Sequence, residues 1–452
     1  EPTPKAAISN NTQTLCDGAG LTAMSVTNSC THTLAATFDM AIVATTGSLA
    51  NLTATGTALS TVTAGTYPYS INGTLTNNTD NAIVIEYRVT PKLAGCSNGT
   101  NAVATVTIEP TPKAAISNNT QTLCDGAALT AMSVTNSCTH TLAPRFDMAI
   151  VATTGSLANL TAGGGGNALT TVTNGTYPYN ITGTLTNNTD NAIVIEYRVT
   201  PKLTGCSNGT NAVATVTIEP TPKAAISNNT QTLCDGAALT AMAVTNSCTH
   251  TLAPRFDMAI VATTGSLANL TAGGGGNALT TVTNGTYPYN ITGTLTNNTD
   301  NAIVIEYRVT PKLTGCSNGT NAVATVTIEP TPKAAISNNT QTLCDGASLT
   351  SMVVSNSCTH TLARNFDMTI VATTGSLANL TATGTALTTV TNGTYPYTIS
   401  GTLANNTDNA IVIEYRVTPK LTGCSNGTDA VATVTIEPTP KAAISNNTQT
   451  LC

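Results

Sequence analysis

The stretch EPTPKAAISNNTQTLCDGA, residues 1–19, returns at residues 109–127, 219–237 and 329–347, and its first sixteen residues return once more as 437–452. Self-similarity at a fixed spacing marks an array of like units. The 452 residues therefore divide into repeats 1–108, 109–218, 219–328 and 329–436, with a partial copy at 437–452. The middle repeats are longer at one place only, where Gly163 to Gly166 and Gly273 to Gly276 stand for Thr55-Gly56 and Thr383-Gly384 of the outer repeats, which marks a loop. Repeats two and three otherwise differ only at Ser133 against Ala243. Redundancy of this kind fits added length better than separate chemistries. The partial copy is expected to be either the point where a longer array was cut or a donor strand that completes a sheet edge of a neighbouring molecule.

Within repeat two, Tyr177, Tyr179, Ile181, Gly183 and Leu185 alternate with polar or small residues, as do Ile193, Ile195, Tyr197 and Val199. Period-two alternation is the pattern of a half-buried strand. The cluster Asn187-Asn188-Thr189-Asp190-Asn191 between the two runs is turn chemistry, and the pair is expected to form a hairpin. Phe146 to Ala152 gives a third run and Val213 to Ile218 a fourth, with shorter runs at Ala114 to Ser117 and Leu129 to Val134. No helical stripe is present, and about seven short strands per repeat fit a two-sheet Greek-key sandwich. Glu-Pro-Thr-Pro-Lys joins one repeat to the next, and its two prolines hold the linker short and semi-rigid. Four sandwiches in line at roughly 40 Å each would make a rod on the order of 160 Å.

Only 8% of the chain is charged, against about 25% in an average soluble domain. Hydrophobic residues make up 40%, enough for packed cores, but Trp is absent and aromatics are 4%, so those cores must be aliphatic. A net charge of -6 with no basic cluster excludes nucleic acid and anionic membrane surfaces as partners. No apolar run approaches the ~18 residues of a membrane span, so no membrane insertion is expected. The start at Glu1 has no signal-peptide character, and the chain reads as a mature or excised segment.

The phrases Pro-Thr-Pro, Thr14 to Gly18 (TLCDG), Tyr87 to Pro91 (YRVTP), Gly95 to Gly99 (GCSNG) and the closing Val103 to Ile108 (VATVTI) resemble the PKD-like, immunoglobulin-like repeats strung together in very large surface proteins of Bacteroidota. The resemblance covers all four repeats. It implies an all-β, extracellular, cell-surface array of immunoglobulin-like (PKD-like) sandwiches, exported and used as an adhesin stalk, a gliding-related protein or a filament. Cys30 and its equivalents depart from the two-cysteine pattern of such repeats.

The thirteen cysteines fall into three classes: Cys16, Cys124, Cys234, Cys344 and, in the partial copy, Cys452; Cys30, Cys138, Cys248 and Cys358; and Cys96, Cys206, Cys316 and Cys424. In an exported chain this spacing reads as a disulfide framework. Position along the sandwich favours Cys30 with Cys96, which should share one end. The resemblance instead implies Cys16 with Cys96, within a repeat or across a joint. Either way one class is left over. Its members lie about 40 Å apart, beyond the ~7 Å a disulfide allows, so bonds to another molecule are expected of it.

Other candidates carry less. The four histidines all occur in Cys-Thr-His (His32, His140, His250, His360), two ligands on one strand face, but a structural zinc needs four, so metal is not expected and the histidines read as polar loop residues. Asp17, Asp39, Asp80 and Glu86 are too scattered for a catalytic group. Glu86 and Arg88 read as a surface pair. No acidic loop suits calcium. Lys5 and Asn101 would form an internal isopeptide clip only beside a buried acid. Asn-x-Thr occurs at Asn10, Asn51, Asn72, Asn77, Asn98, Asn159, Asn174, Asn180, Asn187 and Asn208, either as turn chemistry or as glycosylation sites that would keep so uncharged a chain in solution. No cofactor and no enzyme activity are expected. The chain reads as a structural filament or stalk segment whose partners are copies of itself. An adhesin gripping surface glycans or a protein through its loops is the alternative.

Overall fold

A computed structural model of the chain describes residues 1–445 and Thr448. The first repeat contains ten strands: β1 (Ala6–Ile8), β2 (Thr12–Leu15), β3 (Met24–Asn28), β4 (Ala36–Thr46), β5 (Leu52–Ala54), β6 (Val62–Thr66), β7 (Tyr69–Ile71), β8 (Leu75–Asn77), β9 (Ile83–Leu93) and β10 (Ala102–Ile108). They form a three-stranded sheet in the order β1-β3-β7, a five-stranded sheet in the order β2-β10-β9-β4-β6, and a two-stranded sheet of β5 and β8. The same three sheets recur in each of the other repeats. All pairings are antiparallel except β2 with β10. The opening segment thus serves both sheets, β1 in one and β2 in the other.

Contacts divide the chain into two compact units, Glu1–Thr221 with Thr249–Leu252, and Pro222–Cys248 with Ala253–Cys452. Each holds the sheets of two repeats, and each repeat has its own core. The long central strand β9 buries every second residue from Ile83 to Leu93, because successive side chains of a strand point to opposite faces. Tyr87 is wholly buried and its hydroxyl donates to the Ala58 carbonyl at 2.6 Å, so the largest polar group of the core is satisfied. Phe38 packs edge-on to Tyr69 and tilted against Tyr67.

Two expectations are corrected. The alternating run from Tyr177 to Leu185 is not one strand: Tyr179–Ile181 pairs with Met132–Asn136, and Thr184–Asn187 pairs with Leu160–Gly163 in a different sheet. Gly183, at φ 123°, turns the chain between the sheets, a conformation open to glycine. The following run is not its hairpin partner, since Ile193–Leu203 pairs with Pro144–Thr154 and Ala212–Ile218. The asparagine-rich turn crosses between sheets instead. Alternation reports which face is buried, and both arrangements bury the same face. Thr120–Leu123, Leu160–Gly163 and Val172–Gly175 are further strands too short to show periodicity. Gly164 to Gly166 lie in the loop that follows Leu160–Gly163, while Gly163 ends that strand.

Candidate functional site

The joint between consecutive repeats gathers most of the chain's buried polar groups and its disulfides. Its centre is the linker. Glu109 continues the ladder of β10 by donating its amide to the Leu15 carbonyl at 2.9 Å, and its side chain is wholly buried. The carboxylate accepts from the Thr141 and Leu142 amides at 3.0 and 3.1 Å and from the Thr141 hydroxyl, and lies 3.3 Å from His140 Nδ1. A buried carboxyl is tolerated only with this degree of hydrogen bonding. Glu219 and Glu329 repeat the arrangement with Thr251 and Leu252, and with Thr361 and Leu362.

Pro110 and Pro112 are buried beside it. A Cβ on Gly209 would fall 1.7 Å from the Pro112 carbonyl oxygen, so the last glycine of GCSNG is what lets the linker pass this loop. The preceding repeat grips the linker from its other side. Asp17 accepts from the Asn77 amide at 2.8 Å and the Thr111 hydroxyl at 2.6 Å, and Asp80 pairs with Lys113 at 2.5 Å. Asp80 raises the Lys113 ammonium above its ordinary value. Backbone bonds close the contact: Thr139 donates to the Asp80 carbonyl and accepts from the Ala82 amide, each at 2.8 Å. In the second unit Thr331 and Lys333 meet Asp235 and Asp300 in the same way, each at 2.5 Å, and Asn301 bridges Thr359.

The disulfides tie the same joints. Cys16 is bonded to Cys206 and Cys234 to Cys424, each with Cα atoms 5.4 Å apart and 190 residues of separation. The first class of one repeat therefore bonds the third class of the next. Cys124 and Cys316 are also disulfide-bonded. Cys30 with Cys96, favoured by position along the sandwich, does not form. Both are free thiols: Cys30 Sγ faces the Thr3 carbonyl at 3.8 Å, and Cys96 is exposed. Cys16 directly follows β2, where the following repeat presents its Cys206 loop.

The class left over is not displayed for cross-linking. Cys138 and Cys358 are buried thiols facing the Thr111 and Thr331 carbonyls at 3.5 Å, Cys248 is buried at the equivalent place, and Cys30 is partly buried. Burial pushes the Cys138 and Cys358 thiols above their ordinary value, which suppresses the reactive thiolate. Cys96 and Cys344 are free and exposed, whereas Cys452 lies outside the described residues.

His140, His250 and His360 are buried side chains against Glu109, Glu219 and Glu329, not solvent-facing loop residues, and His32 is equally covered beside Glu1. Among the described residues no group of three or more His, Cys, Asp or Glu is placed to hold a metal ion. Lys5 and Asn101 are both exposed, and Asn101 accepts from Thr90, so neither has the burial an isopeptide clip requires. Glu86 pairs with Arg88 at the surface. Asp39 is held below the usual carboxylate range by the Ala64 amide and Lys92.

Two candidate glycosylation sites are corrected. Asn77 and Asn187 are buried, and each side-chain nitrogen donates to two carbonyls, Asn81 and Ile108 in one case and Asn191 and Ile218 in the other. Their sequence signal is turn chemistry alone. Asn10 is exposed but donates to the Ala23 carbonyl. Asn51, Asn72, Asn98, Asn159, Asn174, Asn180 and Asn208 are exposed. Sequence reasoning missed the linker glutamate, whose signal was its invariance at every joint, and treated Asp17 and Asp80 as scattered although both grip one linker.

No family model and no curated protein matches the chain. Among solved structures it is similar to extracellular cadherin domains 1–4 of protocadherin gamma B7, at 10% identity over 78% of this chain and 82% of that one, with a TM-score of 0.32. It is similar also to Drosophila N-cadherin EC1–4 (11%, 95% and 98%, TM-score 0.30) and to Sidekick-1 immunoglobulin domains 1–5 (10%, 96% and 81%, TM-score 0.25). These scores carry no functional weight. No helix among the described residues is long and apolar enough to cross a membrane.

Proposed function

We propose that the chain is a tension-bearing segment of an extracellular filament or cell-surface stalk, with repeats 1–108, 109–218, 219–328 and 329–436 as its building blocks. Disulfides persist in oxidising compartments, which supports an exported protein. The observation that carries the mechanical reading is the covalent path. Cys16–Cys206 and Cys234–Cys424 each close a loop of 190 residues spanning most of two repeats. Pulled from its ends, the chain transmits force through residues 1–16, 206–234 and 424–452, and the loops between are shielded. At about 3.4 Å per extended residue, the oxidised chain reaches about 250 Å however much of it unfolds, against about 1,500 Å when reduced.

Such a limit is useless to an enzyme and useful to a tether. The adhesin alternative has no equivalent support, since no aromatic side chain among the described residues is exposed to form a sugar platform. Stretching single molecules of the 452-residue chain with and without dithiothreitol tests the proposal. Reduction is expected to raise the full extension from about 250 Å to about 1,500 Å; equal extension under both conditions refutes it.

A further inference from the structure

The groups around the linker glutamate are also the parts of an acyl-transfer site. The Thr141 hydroxyl, a nucleophile, donates to Glu109 Oε1. The Thr141 and Leu142 amides donate to the same oxygen at 3.0 and 3.1 Å, an arrangement that stabilises negative charge on a carbonyl oxygen as a tetrahedral centre forms. His140 Nδ1 lies 3.3 Å from the other oxygen, Oε2, and both side chains are 0% exposed.

The imidazole does more than fill the joint. His140 Nε2 and His360 Nε2 are buried without a hydrogen-bond partner among the described residues, so a polar ring is kept there at a cost and its hydrogen bonding is directed at the carboxyl. An apolar ring would serve packing better. The set also recurs whole. Glu219 accepts from the Thr251 hydroxyl and from the Thr251 and Leu252 amides at 3.1 and 3.2 Å, with His250 Nδ1 at 3.3 Å. Glu329 accepts likewise from Thr361 and from Leu362, at 3.0 and 3.2 Å for the amides, with His360 Nδ1 at 3.3 Å. Each set lies inside one compact unit.

We propose that each set forms an ester between its glutamate and its threonine, cross-linking Glu109 to Thr141, Glu219 to Thr251 and Glu329 to Thr361. Thr141 Oγ attacks Glu109 Cδ, and the Oγ–Cδ bond forms while the two amides hold Oε1. The Cδ–Oε2 bond then breaks. Oε2 leaves as water, taking one proton from the threonine hydroxyl and one from the carboxyl–imidazole pair, which His140 Nδ1 delivers as general acid. The balance is the same for an acid beside an imidazole as for a carboxylate beside an imidazolium, and no oxidant or activating group is consumed. Holding the hydroxyl and the carboxyl in contact replaces the activation that a bimolecular esterification needs. Burial of Glu109 keeps bulk water from reversing the bond, while Thr141, at an exposed rim, gives the released water an exit. The bond spans 32 residues and fastens the linker to the repeat that it leads into.

The test is the intact mass and the tryptic map of the reduced 452-residue chain. Each ester should lower the mass by about 18 Da, the water released. Trypsin should yield residues 93–113 joined to residues 114–145, the peptides that carry Glu109 and Thr141. Thr141→Val should abolish that joined pair, and Thr141→Ser, which keeps the hydroxyl, should retain it. His140→Asn should lower its yield about 100-fold. In all three variants the Glu219 and Glu329 sites should stay linked, which shows in the same molecule that the chain has folded. Three results overturn the proposal: full mass with no joined peptides, water lost only at Glu1 or within a single tryptic peptide, or a yield indifferent to His140→Asn.

Discussion

Glu109 is wholly buried and its carboxyl accepts from donors in the loop of the following repeat, so it works as an internal cap that no substitution by an apolar side chain can replace. Glu109→Ala leaves two amides, a hydroxyl and an imidazole facing a void and should destabilise repeat two by about 3 kcal/mol. Hydrogen exchange should show lost protection at Thr141 and Leu142, and unchanged protection would refute the role. The histidine beside the equivalent glutamate gives a pH dependence. Burial pushes His360 below its ordinary value, against the opposing pull of Glu329 and with a smaller contribution from Arg364. Its folded value lies below its unfolded one, so the unfolded state takes up the proton first as pH falls. The stability contribution is intact above about 6.5 and lost below it. Melting of repeat four should therefore fall between pH 7 and 5, and His360→Asn should flatten that fall; identical slopes would exclude His360 as the cause.

Each repeat divides what sequence periodicity presents as continuous. The crossing from β7 to β8 passes through Gly73 at φ 123°, where a Cβ would lie 1.9 Å from the Thr55 carbonyl oxygen. Gly73→Ala must move backbone as well as adopt a strained dihedral, and a loss of about 2–3 kcal/mol is expected. Gly95, at φ 76° with open space around it, is the control: Gly95→Asn should be nearly neutral, because asparagine tolerates the left-handed region. Urea titrations of the two variants should differ clearly, and equal midpoints would mean that the sheet crossing is not constrained. The long strands were legible because eleven residues give several periods of alternation, as in Ile193–Leu203 and Pro144–Thr154. Strands of three or four residues, such as Tyr179–Ile181 and Thr184–Asn187, give one period or less, and their partners are chosen by glycine geometry and core shape.

Across the whole chain, separate cores coexist with covalent loops that join repeats. Ile193→Asp places a charge in the core of repeat two, at a cost of at least about 5 kcal/mol. Exchange should become fast across residues 114–218, while the sheets at 334–436, which have their own core, stay protected. Cys16–Cys206 should keep the opened repeat tethered, so the variant elutes as a larger particle when reduced than when oxidised. Loss of protection throughout 334–436 would show one cooperative fold instead of distributed stability.

The repeat period, the all-β class and the sorting of cysteines into three classes were determined by sequence alone, because each is a matter of spacing and side-chain type along the chain. The expectation of aliphatic cores was not met, since Tyr87 and Phe38 and their counterparts are the largest fully buried side chains. Which class bonds which, and the pairing of Asp17, Asp80 and Glu109 about one linker, were decided only by tertiary structure. The end of one repeat meets the start of the next, and spacing within a repeat does not encode that meeting. Burial is the other thing only the fold assigned. It turned Asn77 from a glycosylation candidate into a structural turn and the Cys138 thiol from a cross-linker into a core group, by removing both from solvent.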